Sequence, residues 1–225
     1  MRQLEPEWLD HLPATDARAV RARRDLRLVN RVMGHAGIVA KALDGLPLNS
    51  APRIAELGAG DGTLLLRIAD AMNWRSGADV VLVDREPAVS AETQTRYRQR
   101  GCNVTLDAAD VFDWLHRDAR PFDAIVANLF LHHFERDELA RLFALAAART
   151  KVFIACEPRR AQLPLAGSRL LGLIGCNDVT RHDAVLSVRA GFAGQELSAL
   201  WPADGNWTLE ESRAGLFSHR FTAYR

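Results

Sequence analysis

The chain has 225 residues, 48% of them hydrophobic, and its 29 basic and 28 acidic side chains leave a formal net charge of +1. That length buries one sizeable core, so one domain with a small appendage is expected. A balance this close to neutral argues against a strong nucleic-acid binder, and the apolar content argues against a disordered chain.

Residues 1–50 read as a helical cap without a strand. The opening "MRQLEPEWLDHLP" lacks the apolar core of a signal peptide. No apolar run approaches the ~20 residues of a membrane span, so a cytoplasmic protein is expected. Leu26, Val29 and Met33 make one apolar stripe, and Arg18, Arg21, Arg23, Arg24, Arg27 and Arg31 crowd the same segment. The arginines read as a solvated helix face or as a patch for an anionic partner. In a third reading these helices close over a ligand, with Arg27, Asn30 or Arg31 meeting its carboxylate. "LDGLPLNSAP" (43–52), with Gly45, Pro47 and Pro52, reads as a linker.

Residues 51–225 form the main expected domain. Short apolar runs at 53–57, 79–84, 102–107, 122–128 and 151–157 alternate with helical patterns at 62–73, 87–100 and 135–149. Continuous apolar strands separated by helices predict a parallel sheet covered on both faces. The pattern breaks at 157–201, a helix-like insertion expected over the edge of the sheet and around an acceptor pocket. Two last strands are expected at 207–213 and 217–224. Phe217, His219 and Phe221 alternate with polar neighbours, which predicts one buried face. Cys102, Cys156 and Cys176 are widely spaced without a CxxC pair, so neither a disulfide framework nor a zinc site is expected.

The first strand runs into "IAELGAGDGT" (54–63). In an open α/β sheet, ligands bind beyond the carboxyl ends of the strands at the switch point. A dinucleotide loop needs a third glycine where Thr63 stands, and Asp61 would lie against the pyrophosphate. Like charges a few ångströms apart in a partly dry site cost several kcal/mol. Glu56 and Asp61 instead suit a cationic ligand, and glycine still permits close approach of the chain. Asp84, ending "VVLVD", can accept from ribose hydroxyls. Asp110 in "DAADVFDW" can accept from an adenine amino group beside Val111 and Phe112, although an acid there also caps helices. Asn128 ends the fourth strand.

"ELGAGDG", "LVDREP", "DAADVFDW" and "FDAIVANLFLHHF", in this order over roughly residues 53–157, resemble the class I methyltransferases that use S-adenosylmethionine. The resemblance implies a doubly wound, seven-stranded, mostly parallel sheet with an antiparallel last strand. It implies S-adenosylmethionine as methyl donor, with Glu56, Gly58, Ala59 and Gly60 on its methionine side and Asp84 on its ribose. Asp110 and Val111 would then hold adenine, and Asn128 would flank the methionine end. Arg85 follows the ribose acid where the family often has an apolar residue.

For the acceptor side, His182 and Asp183 in the insertion are the expected catalytic pair, because a histidine can take a proton from a hydroxyl. His132 and His133 are adjacent and on a regular element would point different ways, so no metal site is expected. His219, between two phenylalanines, reads as a satisfied core histidine. Trp201, Trp207 and Phe192 either shape an aromatic pocket or pack in the core. The expected reaction is methylation of a small molecule, at a hydroxyl of a phenolic or polyketide-like compound. RNA or protein methylation is an alternative, but base-modifying relatives tend to carry Asn/Asp-Pro-Pro-aromatic where "NLFL" (128–131) stands, and the charge balance disfavours nucleic acid. An NAD-dependent oxidoreductase is the alternative from another class. The oligomeric state is left open.

Overall fold

A computed structural model describes residues 1–13, 15–46, 48–72, 74, 77–117 and 120–225. Seven strands form one sheet: β1 (Arg53–Leu57), β2 (Asp79–Asp84), β3 (Asn103–Ala108), β4 (Ala124–Asn128), β5 (Val152–Pro158), β6 (Thr208–Ala214) and β7 (Ser218–Tyr224). Their spatial order is β3-β2-β1-β4-β5-β7-β6. β1 to β5 pair in parallel, and β7 runs antiparallel to both β5 and β6. This is the doubly wound sheet expected. The chain order reverses between β1 and β4, which opens a crevice at their carboxyl ends.

β1, β2, β4 and β5 are buried on both faces, whereas β3, also expected as a buried apolar strand, is largely exposed because it forms an edge of the sheet. Ile54, Val80, Leu82, Val126 and Ile154 pack on one side with α3 (His35–Leu43), α4 (Thr63–Ala71) and α5 (Ala91–Gln99). Leu57, Val81, Val83, Ile125 and Phe153 pack on the other with α6 (Val111–Arg117) and α7 (Arg136–Ala147). α3 therefore belongs to a core layer, through Val39, Ala40 and Leu43. Ahead of it come α1 (Trp8–His11) and α2 (Ala17–Val32). Of the expected linker, Pro47 lies outside the described residues, as does residue 73 at the end of the expected first crossover helix.

Two further sequence expectations change, and one open alternative closes. β7 is buried on both faces, not one, because it sits inside the sheet between β5 and β6; β6 takes the exposed edge instead. The insertion forms α8 (Gln162–Arg169), a 3-10 turn (Leu171–Ile174) and α9 (Asp178–Ala190). α9 packs on α1, α2, β5 and the turn after β4, which puts it over the carboxyl end of the sheet and not its edge. Phe192 and Trp201 join Phe143, Phe153 and Phe221 in the core, with Trp207 packed against them, so they form no aromatic pocket.

The insertion is pinned at its far end by Gly191. Its backbone is ordinary (φ −64°), but a Cβ there would come within 2.2 Å of the Pro158 carbonyl oxygen. Phe192 N–H donates to that same oxygen at 2.9 Å. Gly191→Ala is expected to lower unfolding free energy by about 1–3 kcal/mol in urea titration, through overpacking alone.

Candidate active site

The glycine loop is held by backbone bonds to the next strand. Gly58 N–H and Ala59 N–H both donate to the Val83 carbonyl, at 2.9 and 3.1 Å. Gly60 N–H donates to Asp84 Oδ2 (2.8 Å), and Glu86 N–H donates to Asp84 Oδ1 (2.9 Å). The ribose acid expected from sequence is thus fixed in orientation and still lines a cavity. The three glycines differ in cause. All have positive φ, but a Cβ at Gly58 would strike the Phe130 ring (2.3 Å) and one at Gly62 the Leu82 side chain (2.6 Å). At Gly60 a Cβ would meet nothing, so there the left-handed backbone makes the demand and the space beside it is open.

That space belongs to a cavity of about 790 Å³ beyond the carboxyl ends of β1, β2 and β4. Glu56, Gly58, Ala59, Gly60, Asp61, Asp84, Arg85 and Asn128 line one part of it. Glu56 is buried and its Oε2 has no hydrogen-bond partner, nor has Asn128 Oδ1 or Asn30 Oδ1. Burial pushes the Glu56 carboxyl well above the ordinary carboxylate range, and the neighbouring Asp61 and Asp84 add to the rise. A buried carboxylate with a free oxygen on a cavity wall fits a cationic ligand and repels a phosphate. Asp61 does other work. Its Oδ1 accepts from Thr63 N–H and Oγ–H at the start of α4, and its Oδ2 meets Arg27 at 3.3 Å.

Asp110 and Val111 do not line the cavity. Asp110 is exposed and its Oδ1 accepts from Phe112 N–H (2.8 Å), which caps α6. Val111 is buried in the core. The residue before them is tied to the end of β2, since Ala109 N–H donates to the Asp84 carbonyl (3.0 Å).

The cavity's opposite wall was not anticipated. Leu129, directly after β4, has φ +51°, a strained position for a leucine. The turn that follows is held by Glu157, fully buried at the end of β5. Its Oε1 accepts from Phe130 N–H (3.0 Å) and Leu131 N–H (2.9 Å), and its Oε2 pairs with His132 Nδ1 (2.8 Å). His132 Nε2 faces Glu7 Oε1 at 3.6 Å, and Ser187 Oγ donates to the same Glu7 oxygen. Burial alone would lower the His132 pKa; the hydrogen bonds to Glu157 and Glu7 overcome it and raise it to about 9. Burial raises Glu7 in turn, but the His132 bond and charge bring it below the ordinary value. His133 points into the cavity, with its pKa lowered by burial and by the His132 cation; burial raises that of Asp10 beside it.

The expectation for these histidines was wrong in geometry. On a 3-10 turn (Leu131–His133) the two rings lie 4.2 Å apart and 33° from parallel, on the same side. Glu7, His132 and His133 bring ligand atoms within 4.8 Å of one another, but both His132 nitrogens face carboxylates, so the group is a hydrogen-bonded charge cluster.

His182 and Asp183 are not in the cavity wall. His182 stacks on Trp8 (centroids 3.8 Å, 12°), and its Nδ1 pairs with Asp183 Oδ1 at 2.9 Å. The Asp183 carboxylate accepts from Trp8 N–H (2.9 Å) and Leu9 N–H (3.0 Å) at the start of α1. The pair anchors the N-terminal segment, so Glu7 and Asp10 reach the site. His219 is the satisfied core histidine expected, with Nε2 2.7 Å from buried Glu211 Oε1. No signal in the sequence singled out Glu7, Asp10 or Ser187. The lone acid ending "VFIACE" was the available hint for Glu157.

Residues 54–152 match the family model described as a methyltransferase domain. The plantazolicin methyltransferase BamL, solved with a triazolic desmethylPZN analog and SAH, superposes with a TM-score of 0.67 at 10% identity, covering 96% of this chain and 92% of that one. The pyocyanin biosynthetic protein PhzM superposes with a TM-score of 0.62 at 18% identity, over 97% of this chain and 60% of its own. By sequence, the tRNA1(Val) (adenine(37)-N6)-methyltransferase of Citrobacter koseri is 29% identical over 82 residues, 36% of this chain. That match spans about a third of the relative's length. Residues 54–152 thus carry a match to a methyltransferase domain, and the strand order is that of the Rossmann-like methyltransferase fold.

The Glu157–His132 pair sets a pH dependence of stability. His132 has a folded pKa of about 9 against 6.5 when free, so its contribution is fully present below pH 6.5 and lost as pH rises through 9. Glu7, depressed from 4.5, contributes above that value and does not titrate in this window. Urea unfolding of the protein is expected to lose up to about 3 kcal/mol between pH 6.5 and 9.5. Glu157→Gln, which keeps an acceptor for the two N–H groups, is expected to flatten that loss.

Proposed function

We propose that the protein transfers a methyl group from S-adenosylmethionine to a hydroxyl of a small-molecule acceptor, with His133 as the group that takes the proton. One observation carries this reading: a single cavity, lined in part by α2 and α8, joins the Gly60–Asp84 loop to His133 and Ser187. Its volume of about 790 Å³, open at one end, suits a small acceptor beside the donor. The methyltransferases that superpose over most of this chain, BamL and the riboflavin-derivative dimethyltransferase RosA from Streptomyces davawensis (TM-score 0.59, 16% identity), also act on small compounds by their names.

In this reading Glu56 and Asn128 meet the polar methionine end of the donor and Asp84 the ribose, with Gly60 leaving room for its approach. Asp110, Val111 and Arg85 border the adenine end. S-adenosylmethionine, when bound, supplies a methyl group already activated by a sulfonium. The protein therefore has to position the acceptor, exclude water and remove one proton. Of the two cavity histidines, His132 is held as a cation between two carboxylates and has no lone pair to offer. His133 is the one that can accept a proton, because burial and the His132 charge lower its pKa and favour the neutral ring. Asp10, on the same wall, supports the imidazolium that forms. His182 and Asp183 serve as positioning residues for this wall.

Two measurements test the reading. Calorimetry is expected to show binding of S-adenosylmethionine and of its demethylated product, and Glu56→Gln, which removes the buried carboxyl facing the ligand's cationic end, is expected to weaken both. Binding of NADH in place of these ligands would overturn the donor assignment.

For the acceptor, a panel of phenols is assayed for release of the demethylated product, with bulk tRNA as a separate arm. Turnover is expected with phenols, falling toward acid pH as His133 is protonated. His133→Gln is expected to lower kcat on the order of a hundredfold or more while donor affinity holds. Methylation of tRNA with no phenol turned over would reject the small-molecule acceptor.

A further inference from the structure

We infer that the groove between α2 and the Leu171–Ile174 turn is a subsite for a hydrocarbon tail, so that the acceptor is an amphiphile: a hydroxyl-bearing head with an aliphatic chain. The inference rests on the hydroxyl-acceptor reading above and adds a substrate class to it.

The two ends of the acceptor space differ in chemistry. Around His133 stand Glu7, Asp10 and Ser187. The other end is lined by Leu26, Val29 and Met33 from α2 and by Leu170, Leu171 and Ile174 from the insertion. α9 measures the distance between them. The 3-10 turn feeds into its N-terminus through Cys176 and the capping residue Asn177. Ser187 lies nine residues beyond Asp178, about 13 Å along a helix. The same turn is tied to α2, since Arg21 donates to the Gly175 carbonyl at 2.9 Å. The turn and α2 thus stand side by side, with apolar side chains of both lining the cavity at the end of α9 away from Ser187.

The apolar end opens to solvent. Val32 (69% exposed), Leu170 (57%) and Ile174 (52%) line the cavity and face water at once, and Leu173 (83%) stands beside them. Aliphatic side chains clustered at a cavity mouth are costly for a soluble monomer and mark a ligand groove or an interaction site. Continuity with the cavity selects the ligand: a chain leaving the head group covers these residues without any rearrangement of the wall.

The test is calorimetric binding of 4-alkylphenols of increasing chain length to the full chain saturated with S-adenosylhomocysteine, beside an assay of their methylation. Kd is expected to fall about fourfold per added methylene until the groove is full. Leu170→Asp and Ile174→Asp are expected to flatten this series, while affinity for S-adenosylhomocysteine holds and so reports an intact fold. A flat series in the wild-type protein overturns the inference, whether or not the short phenols are methylated. So does a series that stays steep in both variants. If the exposed residues instead serve a membrane or a second copy of the chain, binding to anionic vesicles or dimerisation in sedimentation will be lost on Leu173→Asp, with the alkyl series flat. A steep series in which no member is methylated rejects the hydroxyl as methyl acceptor and leaves the tail groove standing.

Discussion

The site depends on one buried carboxylate. Glu157 ends β5 with no exposure to solvent, and every bond it makes runs to the turn after β4. Two backbone N–H groups and a histidine converge on it, which is how a buried charge becomes tolerable. These bonds hold the chain through the strained Leu129 and set Phe130 over the glycine loop. Gly58 then has to be glycine, because Phe130 occupies the volume of its Cβ. The first motif and the turn after the fourth strand are therefore one packing unit, built from β1, β4 and β5 together. Removing the carboxylate would release both the acceptor wall and the ring that shapes the donor loop.

A second layer of charge grows outward from the same residue. Glu157 charges His132, His132 holds Glu7, and Glu7 draws the N-terminal segment against α9. Asp183 and His182 complete that attachment by capping α1 and stacking on Trp8. On the donor side, Arg27 of α2 meets Asp61 of the glycine loop. That pair is part-exposed and contributes little to stability, but it fixes where α2 crosses the cavity. The reading in which the N-terminal helices close over a ligand accounts for these contacts better than a solvated arginine face does. Arg27 and Asn30 line the cavity, as that reading expected.

How much of this could be read from sequence follows from the range of each interaction. β1, β2, β4 and β5 were legible because each is a continuous apolar run, and the sheet buries both of their faces. β7 was half legible: its alternation promised one solvated face, and only its place between two strands removed it. The donor loop was legible because its residues are consecutive and its hydrogen bonds reach only the next strand. Asp110 shows the limit of a motif. A strand-end acid before a helix satisfies a cap and a ligand contact equally well, and here its carboxylate is bonded as a cap. The acceptor wall was illegible because Glu7, His132, Glu157 and Ser187 come from four separate segments that no local pattern links.

His182 illustrates why chemistry alone misplaces a catalytic residue. A histidine beside an aspartate in a pocket-forming insertion has the right composition for a base. On α9, however, consecutive side chains diverge by about 100°, so only some faces of the helix reach the cavity. Ala184, Ser187 and Val188 occupy that face, and His182 and Asp183 fall on the one that meets α1. The same rotation brings Ser187 to Glu7. The helix thus works on both sides: one face carries the wall of the site, and the other grips the segment that closes it. The base of the proposed reaction is instead placed on the short turn after β4, where the Glu157 anchor brings two adjacent imidazoles together. Their shared surroundings then act in opposite directions: the bonds to Glu157 and Glu7 raise His132 to about 9, while burial and then the His132 charge lower His133.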